Sequence, residues 1–216
     1  MEDVITDGPS MPITFNRSKN PFRELCRIYK NSANKLVRPP VVYFASDSGE
    51  EDLLEEEAAD IGGPLREFFT IALESLSKET APQLFEGDDD HKLPVHSQQL
   101  VLCGYFKMMG EIVAHAIIHD EVWFAGLARA VKVYLSTGCT ETAAQVVCTE
   151  DVPDLNVRKV LQRMSQVDED EVAFLNSEDI VSNLLDESGV SASFVTINNA
   201  AQVAYEIMVH QGIHKR

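Results

Sequence analysis

The chain has 216 residues, of which 44% are hydrophobic, so it can bury a core in one large or two small domains without disulfide or metal crosslinks. Its formal net charge of -17 disfavours nucleic acid and anionic membranes as partners, because both attract basic surfaces. Four scattered cysteines, a polar N-terminus and the lack of a long apolar run predict an intracellular protein, cytoplasmic, nuclear or both.

The N-terminal segment 1–39 is expected to be flexible or partly ordered, because prolines and asparagines interrupt any regular period. Apolar residues between Phe22 and Tyr29 suggest a short helix within it. The β-branched and aromatic run 41–44 then predicts a buried strand. An acidic stretch over 47–60 follows. It is interpreted as a solvated loop, with a docking site for a basic partner as the alternative.

Residues 60–69 read Asp-Ile-Gly-Gly-Pro-Leu-Arg-Glu-Phe-Phe and convert an extended segment into a helix. Pro64 suits the first helical position, and the two glycines before it allow a tight turn and close backbone approach. Apolar residues then recur at i, i+3, i+4 and i+7 from Leu65 to Leu76. This spacing predicts a core helix of about four turns.

Further helices are predicted downstream of a polar loop over 79–96. Ser97 is expected to cap a buried helix over 97–119, and close packing against a neighbour would account for Gly104 and Gly110 in its interior. The remaining predicted helices run from Trp123 to a stop at Gly138, from Asp154 to Met164, in short pieces within 166–195 with a break at Gly189, and from Thr196 or Asn198 to a stop near Gly212.

Three groups of residues contain side chains of the kind that bind metals. The acidic run ending at His91, 88–91, lacks the alternating carboxylates of a calcium loop and is interpreted as a solvated turn. His115 and His119 share a helix face, but the zinc-protease glutamate is missing between them, and they are one or two ligands short. His210 and His214 have the same spacing and the same interpretation. We therefore expect no metal and no cofactor.

The stretch 60–69 resembles the Asp-x-Gly-Gly-x-x-Arg-Glu-(Phe/Trp)-Phe signature of HECT-type ubiquitin ligases. Other family markers follow the family order: the strand 41–44 with Gly49-Glu50, the helix 105–117, and the Asp-Val-Pro-Asp start at 151–154. The resemblance covers about 40–216 and is strongest to divergent, cell-cycle-phase-specific members. The signature positions matched here are Asp60, Gly62, Gly63, Arg66, Glu67, Phe68 and Phe69.

The resemblance implies the N-terminal lobe of a HECT domain, mainly α with a few short β-strands (α+β). Residues 40–216 would form this lobe, and 166–195 would be a reduced equivalent of the subdomain that binds the ubiquitin-conjugating enzyme. Its partners would be that enzyme and ubiquitin. The apolar positions expected to be exposed for this contact are Phe174, Leu175, Ile180 and Leu184, the alternative being that they pack onto the large lobe.

In the family, the catalytic cysteine lies in a C-terminal lobe that this sequence does not include, and none of the four cysteines here has that motif. No catalytic residue is therefore assigned, and the chain alone is expected to be inactive. Its implied role is scaffolding and enzyme recruitment for transfer through a thioester on a downstream cysteine. The alternatives are a degenerate HECT-like interaction module without ligase activity, and a metal-dependent hydrolase using His115 and His119, for which no zinc is expected.

Overall fold

The computed structural model describes residues 10–30, 38–45, 63–78, 82–120 and 122–215. The fold is mainly helical with a few short strands, as predicted. In the described ranges, no helix is long and apolar enough to cross a membrane. The chain divides into two compact units. The first comprises Met1–Leu84 and Ser97–Phe124, and the second comprises Phe85–His96 and Ala125–Arg216.

The first unit combines a two-stranded parallel sheet with helices. Met11 lies opposite Pro40 in the sheet, so the chain crosses over between the strands through the first helix. The elements of this unit are, in chain order, β1 (Met11–Asn16), α1 (Pro21–Tyr29), β2 (Pro40–Ala45), α2 (Gly63–Lys78), α3 (Gln98–Leu102) and α4 (Tyr105–Asp120).

The N-terminal segment contributes regular structure to this unit. Along β1, buried and exposed residues alternate, and Ile13 and Phe15 are only 1% exposed. That is the period of a half-buried strand. β2 was predicted as a buried strand, but its Val41 and Tyr43 are 38% and 44% exposed. The reason is that Val41 and Tyr43 pair with Pro12 and Thr14, the exposed positions of β1, so they lie on the solvent-facing side of the sheet.

Helices α2 and α4 pack together at the centre of the first unit. The buried face of α2 is the predicted apolar stripe, and α4 contributes Met108, Ile112, His115 and Ala116. Gly63 is the first residue of α2. A Cβ atom placed there would meet nothing within 4 Å, and its φ is not positive. The close backbone approach expected at this glycine is therefore not present.

The helix predicted over 97–119 is two helices. Ser97 caps α3 as predicted, accepting a hydrogen bond from the Leu100 N–H at 3.3 Å. Gly104 then adopts a left-handed φ of 74° and separates α3 from α4. Leu102 is 79% exposed, so this end of the predicted buried helix is at the surface. Neither Gly104 nor Gly110 packs closely, because a Cβ atom at either would meet nothing within 4 Å.

The second unit is a set of short helices with a small antiparallel β pair. Its elements are β3 (Phe85–Glu86), β4 (Leu93–Pro94), α5 (Arg129–Thr137), α6 (Thr140–Ala144), a 3-10 turn (Thr149–Asp151), α7 (Leu155–Met164), α8 (Glu169–Asn176), α9 (Asp179–Ser188), α10 (Ala200–Val209) and a π-helical turn (His210–His214).

Helix ends in this unit follow local chemistry in most places. Gly138 and Gly189 end α5 and α9 in left-handed conformations, as predicted. The helix predicted from Asp154 is α7, and the Asp154 side chain caps it. The helix predicted from Trp123 begins only at Arg129. The predicted stop at Gly212 is wrong. The chain continues there into the π-helical turn, where Gly212 is buried close to the side chain of Val147.

Helices α7 to α10 surround one hydrophobic core. Segment 166–195, which contains α8 and α9, contributes to this core and does not form a body of its own. The buried residues of the core are Val152, Val157, Val160, Leu161, Met164, Leu175, Val181, Leu184, Leu185, Val195, Ala200, Val203, Ala204 and Ile207.

Candidate functional site

The aromatic pair of the HECT-like signature lies in the first unit's core. Phe68 and Phe69 are both 0% exposed. The Phe68 ring is 5.5 Å from the Phe15 ring of β1, and the Phe69 ring is 5.4 Å from the His115 ring of α4, both edge-to-face. These two side chains therefore join the sheet, α2 and α4. Their role in this structure is packing.

Two charged residues of the signature, Arg66 and Glu67, form ion pairs at the surface. Glu67 accepts a hydrogen bond from Arg17 at 2.6 Å, with both side chains about half exposed. Arg66 lies 3.7 Å from Asp120 of α4 and is 72% exposed. Exposed ion pairs of this kind contribute about 0–1 kcal/mol each. The described part of the signature is thus structural, while Asp60 and Gly62 lie outside the described residues, as do Gly49 and Glu50.

His115 and His119 belong to an aromatic cluster in the first unit. The Tyr29 hydroxyl and His115 Nδ1 are 2.7 Å apart, and His115 is 0% exposed. The His119 ring centroid lies 4.9 Å from that of His115. Burial raises the pKa of Tyr29 well above its usual range, so the phenol stays protonated and holds this contact. The Nδ1 atom of His115 is therefore occupied by the hydrogen bond with Tyr29.

The four positions expected to bind a conjugating enzyme do not share one surface. Leu175 and Leu184 are 0% and 4% exposed, so the expectation that they are exposed is wrong. Both belong to the core shared by α7 to α10, and Ile180 packs against the same core. Phe174 is different, at 59% exposed. An exposed contact at this segment would depend on Phe174.

Phe174 has an ordered polar environment. The Arg163 guanidinium lies 5.0 Å from its ring centroid, in cation–π range. Arg163 is fixed in turn by hydrogen bonds to Glu171 and, at 2.8 Å, to Glu178. The result is an exposed aromatic ring beside one cation and two carboxylates. Rigid aromatic side chains in such settings are enriched at protein interfaces.

The structure also brings together three side chains that sequence spacing did not connect. Donor atoms of His91, Cys148 and Asp151 all lie within 4.8 Å of one another. Two of the three acids next to His91 are engaged elsewhere, Asp88 with Arg158 and Asp89 with a lysine. These three side chains are the candidate metal ligands of the second unit.

The cysteines have no arrangement typical of a nucleophile. Burial, followed by the charge of Asp151, raises the pKa of the Cys148 thiol to about 11, which keeps it protonated at neutral pH. The Cys139 thiol donates a hydrogen bond to Glu141 at 3.1 Å. Cys103 was expected inside an apolar helix but is exposed at the end of α3. No catalytic residue is assigned to any of them.

No family model matches the chain, and no curated protein matches it. The resemblance described above therefore depends on the order and identity of the motifs in the sequence.

Proposed function

We propose that this chain is the non-catalytic N-terminal lobe of a HECT-type ubiquitin ligase. It recruits a ubiquitin-conjugating enzyme for transfer through a thioester on a downstream cysteine outside the chain. The observation that carries the proposal is the contact between its two most specific motif segments. Phe69 of the signature and His115 of the second marker helix lie ring to ring, 5.4 Å apart. Segments that identify the family thus build one core.

Recruitment is assigned to the surface around Phe174. Of the four positions favoured by sequence, it alone presents most of its side chain to solvent. The flanking Glu171 and Glu178, together with the net charge of -17, suit a basic patch on the partner. The buried Leu175 and Leu184 support the surface from below without touching the partner.

A binding titration tests this assignment. The 216-residue chain is immobilised and exposed to a panel of conjugating enzymes, each with and without thioester-linked ubiquitin. At least one enzyme is expected to bind, and Phe174→Ala is expected to weaken it by about tenfold or more, since an aromatic contact residue of this kind contributes about 2 kcal/mol. Tyr134→Ala, at a 45% exposed aromatic on α5, is the matched control and leaves binding unchanged.

The second candidate function is a HECT-like interaction module without ligase activity. The packing of α8 and α9 into the core of α7 and α10 favours it, because a separate enzyme-binding body is not present among the described residues. Absence of binding to every conjugating enzyme in the panel would favour this module over the recruiting lobe.

The non-catalytic assignment has its own test. The chain is incubated with activating enzyme, conjugating enzyme and ubiquitin, and the products are separated with and without a thiol reductant. We expect no reductant-sensitive ubiquitin adduct on the chain. An adduct lost on reduction, and lost again when one cysteine is replaced by serine, would identify that cysteine as an acceptor and contradict the assignment.

A further inference from the structure

We infer that the second unit holds a binding site for a zinc-type divalent cation, formed by His91, Cys148 and Asp151. This site is independent of the proposed ligase role and lies in a different unit from the HECT-like signature helix. It also differs from the His115–His119 pair considered from sequence.

The donor atoms of the three side chains are close to the spacing of a zinc site. One nitrogen, one sulfur and one oxygen lie within 4.8 Å of one another. Ligand atoms of a tetrahedral zinc site are about 3.5 Å apart, given zinc–ligand bonds of about 2.0–2.3 Å. His91 and Cys148 are partly exposed, so small side-chain rotations can close this gap. Asp151 is 0% exposed and provides the fixed point.

One carboxylate oxygen of Asp151 lacks a hydrogen-bond partner among the described residues. Its Oδ2 accepts a hydrogen bond from the Cys148 N–H at 3.0 Å. Its Oδ1 is buried and has no hydrogen-bond partner in the part of the chain that the structure describes. A buried carboxylate oxygen without a partner is destabilising. A cation bound between Asp151, His91 and Cys148 would supply the missing interaction.

Arg158 ties together the two segments that carry the ligands. Its guanidinium donates to the Asp88 carboxylate at 2.6 Å, on the His91 loop. It also donates to the backbone carbonyls of Glu150, at 2.9 Å, and of Val152, on either side of Asp151. Its side chain is 13% exposed. Arg158 therefore fixes the His91 loop relative to the segment around Asp151 in the absence of a cation.

Two glycines fix the shape of the His91 loop. Gly87 has a φ of 95°, and a Cβ atom there would collide with the His91 carbonyl oxygen. Gly126 has a φ of 85°, and a Cβ atom there would collide with the Asp89 carbonyl oxygen. The Lys92 N–H donates to the Gly126 carbonyl at 2.8 Å, which anchors the loop directly after His91. His91 therefore lies in a conformationally constrained loop, as a metal-ligating residue requires.

The donor set selects the class of cation. Imidazole and thiolate ligands suit zinc and its transition-metal neighbours, whereas calcium and magnesium prefer oxygen ligands in larger numbers. Binding of the cation displaces the Cys148 thiol proton to solvent, and the resulting thiolate and the Asp151 carboxylate together neutralise the divalent charge in this partly buried place. Three protein ligands leave a fourth tetrahedral position, which water fills.

Cobalt substitution tests the site on the untagged 216-residue protein after treatment with a chelator. Titration with Co²⁺ is expected to saturate at one equivalent, with the visible bands of tetrahedral cobalt and a near-ultraviolet sulfur-to-cobalt charge-transfer band. One equivalent of Zn²⁺ displaces the cobalt, and a large excess of Mg²⁺ or Ca²⁺ does not. A folded protein that gives no charge-transfer band with Co²⁺ overturns the inference.

Substitutions of Cys148 and His91 test whether these two residues are metal ligands. Cys148→Ser is expected to abolish the charge-transfer band, and His91→Ala is expected to weaken Co²⁺ binding by about tenfold or more. The matched controls are Cys139→Ser and His96→Ala, which leave the charge-transfer band and the affinity for Co²⁺ unchanged. Circular dichroism verifies that each variant is folded, and His91→Ala decides the matter if Cys148→Ser does not fold. A band that survives in folded Cys148→Ser, or unweakened binding in His91→Ala, contradicts the site.

Discussion

Tyr29 and His115 form a hydrogen bond inside the core of the first unit. Their atoms are 2.7 Å apart and both residues are buried, so neither side chain can exchange this contact for water. The bond joins α1 to α4, while the rings of Phe69 and His115 join α2 to the same place. A single histidine therefore connects three helices.

Replacing Tyr29 by phenylalanine keeps the ring and removes the hydroxyl. We expect the free energy of unfolding to fall by about 1–3 kcal/mol, because the polar atom left in the core cannot recover its hydrogen bond. Urea denaturation followed by circular dichroism measures the change. Tyr134→Phe, at an exposed tyrosine, is the control and should be neutral. An equally neutral Tyr29→Phe would show that the buried hydrogen bond contributes no net stability.

Replacing two different glycines by alanine should change the stability of the protein in opposite directions. Gly126 has a φ of 85° and its Cβ would strike a carbonyl oxygen, so Gly126→Ala should destabilise the protein by more than about 1 kcal/mol. Gly110 lies inside α4 with open space around its Cβ position, so Gly110→Ala should stabilise by up to about 1 kcal/mol. Thermal melts measure the change in melting temperature of each variant. A change in the same direction for both variants would contradict this prediction.

The N-terminal cap of α7 shows how a side chain sets an element. Asp154 accepts hydrogen bonds from the N–H groups of Asn156 at 2.7 Å and Val157 at 3.3 Å. Asp154→Ala should therefore lower the free energy of unfolding by about 1 kcal/mol. Asp186→Ala removes an exposed carboxylate from the last turn of α9, where it opposes the helix dipole, and should not destabilise. Chemical denaturation compares the two. A cap variant as stable as the control would contradict the assignment.

Elements were predictable where the signal was local. Five features were each specified within a few residues, and all are present: the apolar stripe of α2, the Ser97 cap, the helix start at Asp154, and the stops at Gly138 and Gly189. The prediction failed where tertiary packing decides. At Gly212 the turn continues because it is buried in the second unit, an environment that no neighbouring residue encodes.

The same distinction applies to the candidate sites. Phe174 and Leu175 are adjacent and equally apolar, and only the position of α8 over its core makes one exposed and the other buried. His91 and Asp151 are separated by 60 positions, so their proximity follows from Arg158 and the loop glycines. Motif spacing cannot contain information of this kind.

At the scale of the molecule, the net charge of -17 should make stability depend on salt. Most of the ion pairs among the described residues have at least one exposed partner and contribute little, so long-range repulsion between carboxylates dominates. Raising NaCl from about 10 to about 150 mM shortens the screening length from about 30 to about 8 Å. We expect the melting temperature to rise over this range. A fall would mean that attractive pairs outweigh the repulsion.

The central claim is that this chain recruits a conjugating enzyme through the surface around Phe174. Amide hydrogen exchange of the whole chain, with and without the conjugating enzyme that binds it best, locates that contact directly. The account predicts slower exchange in α8 and in the Arg163 end of α7, with exchange in α2 unchanged. Exchange that is identical throughout the chain, or protection confined to other segments, would contradict it.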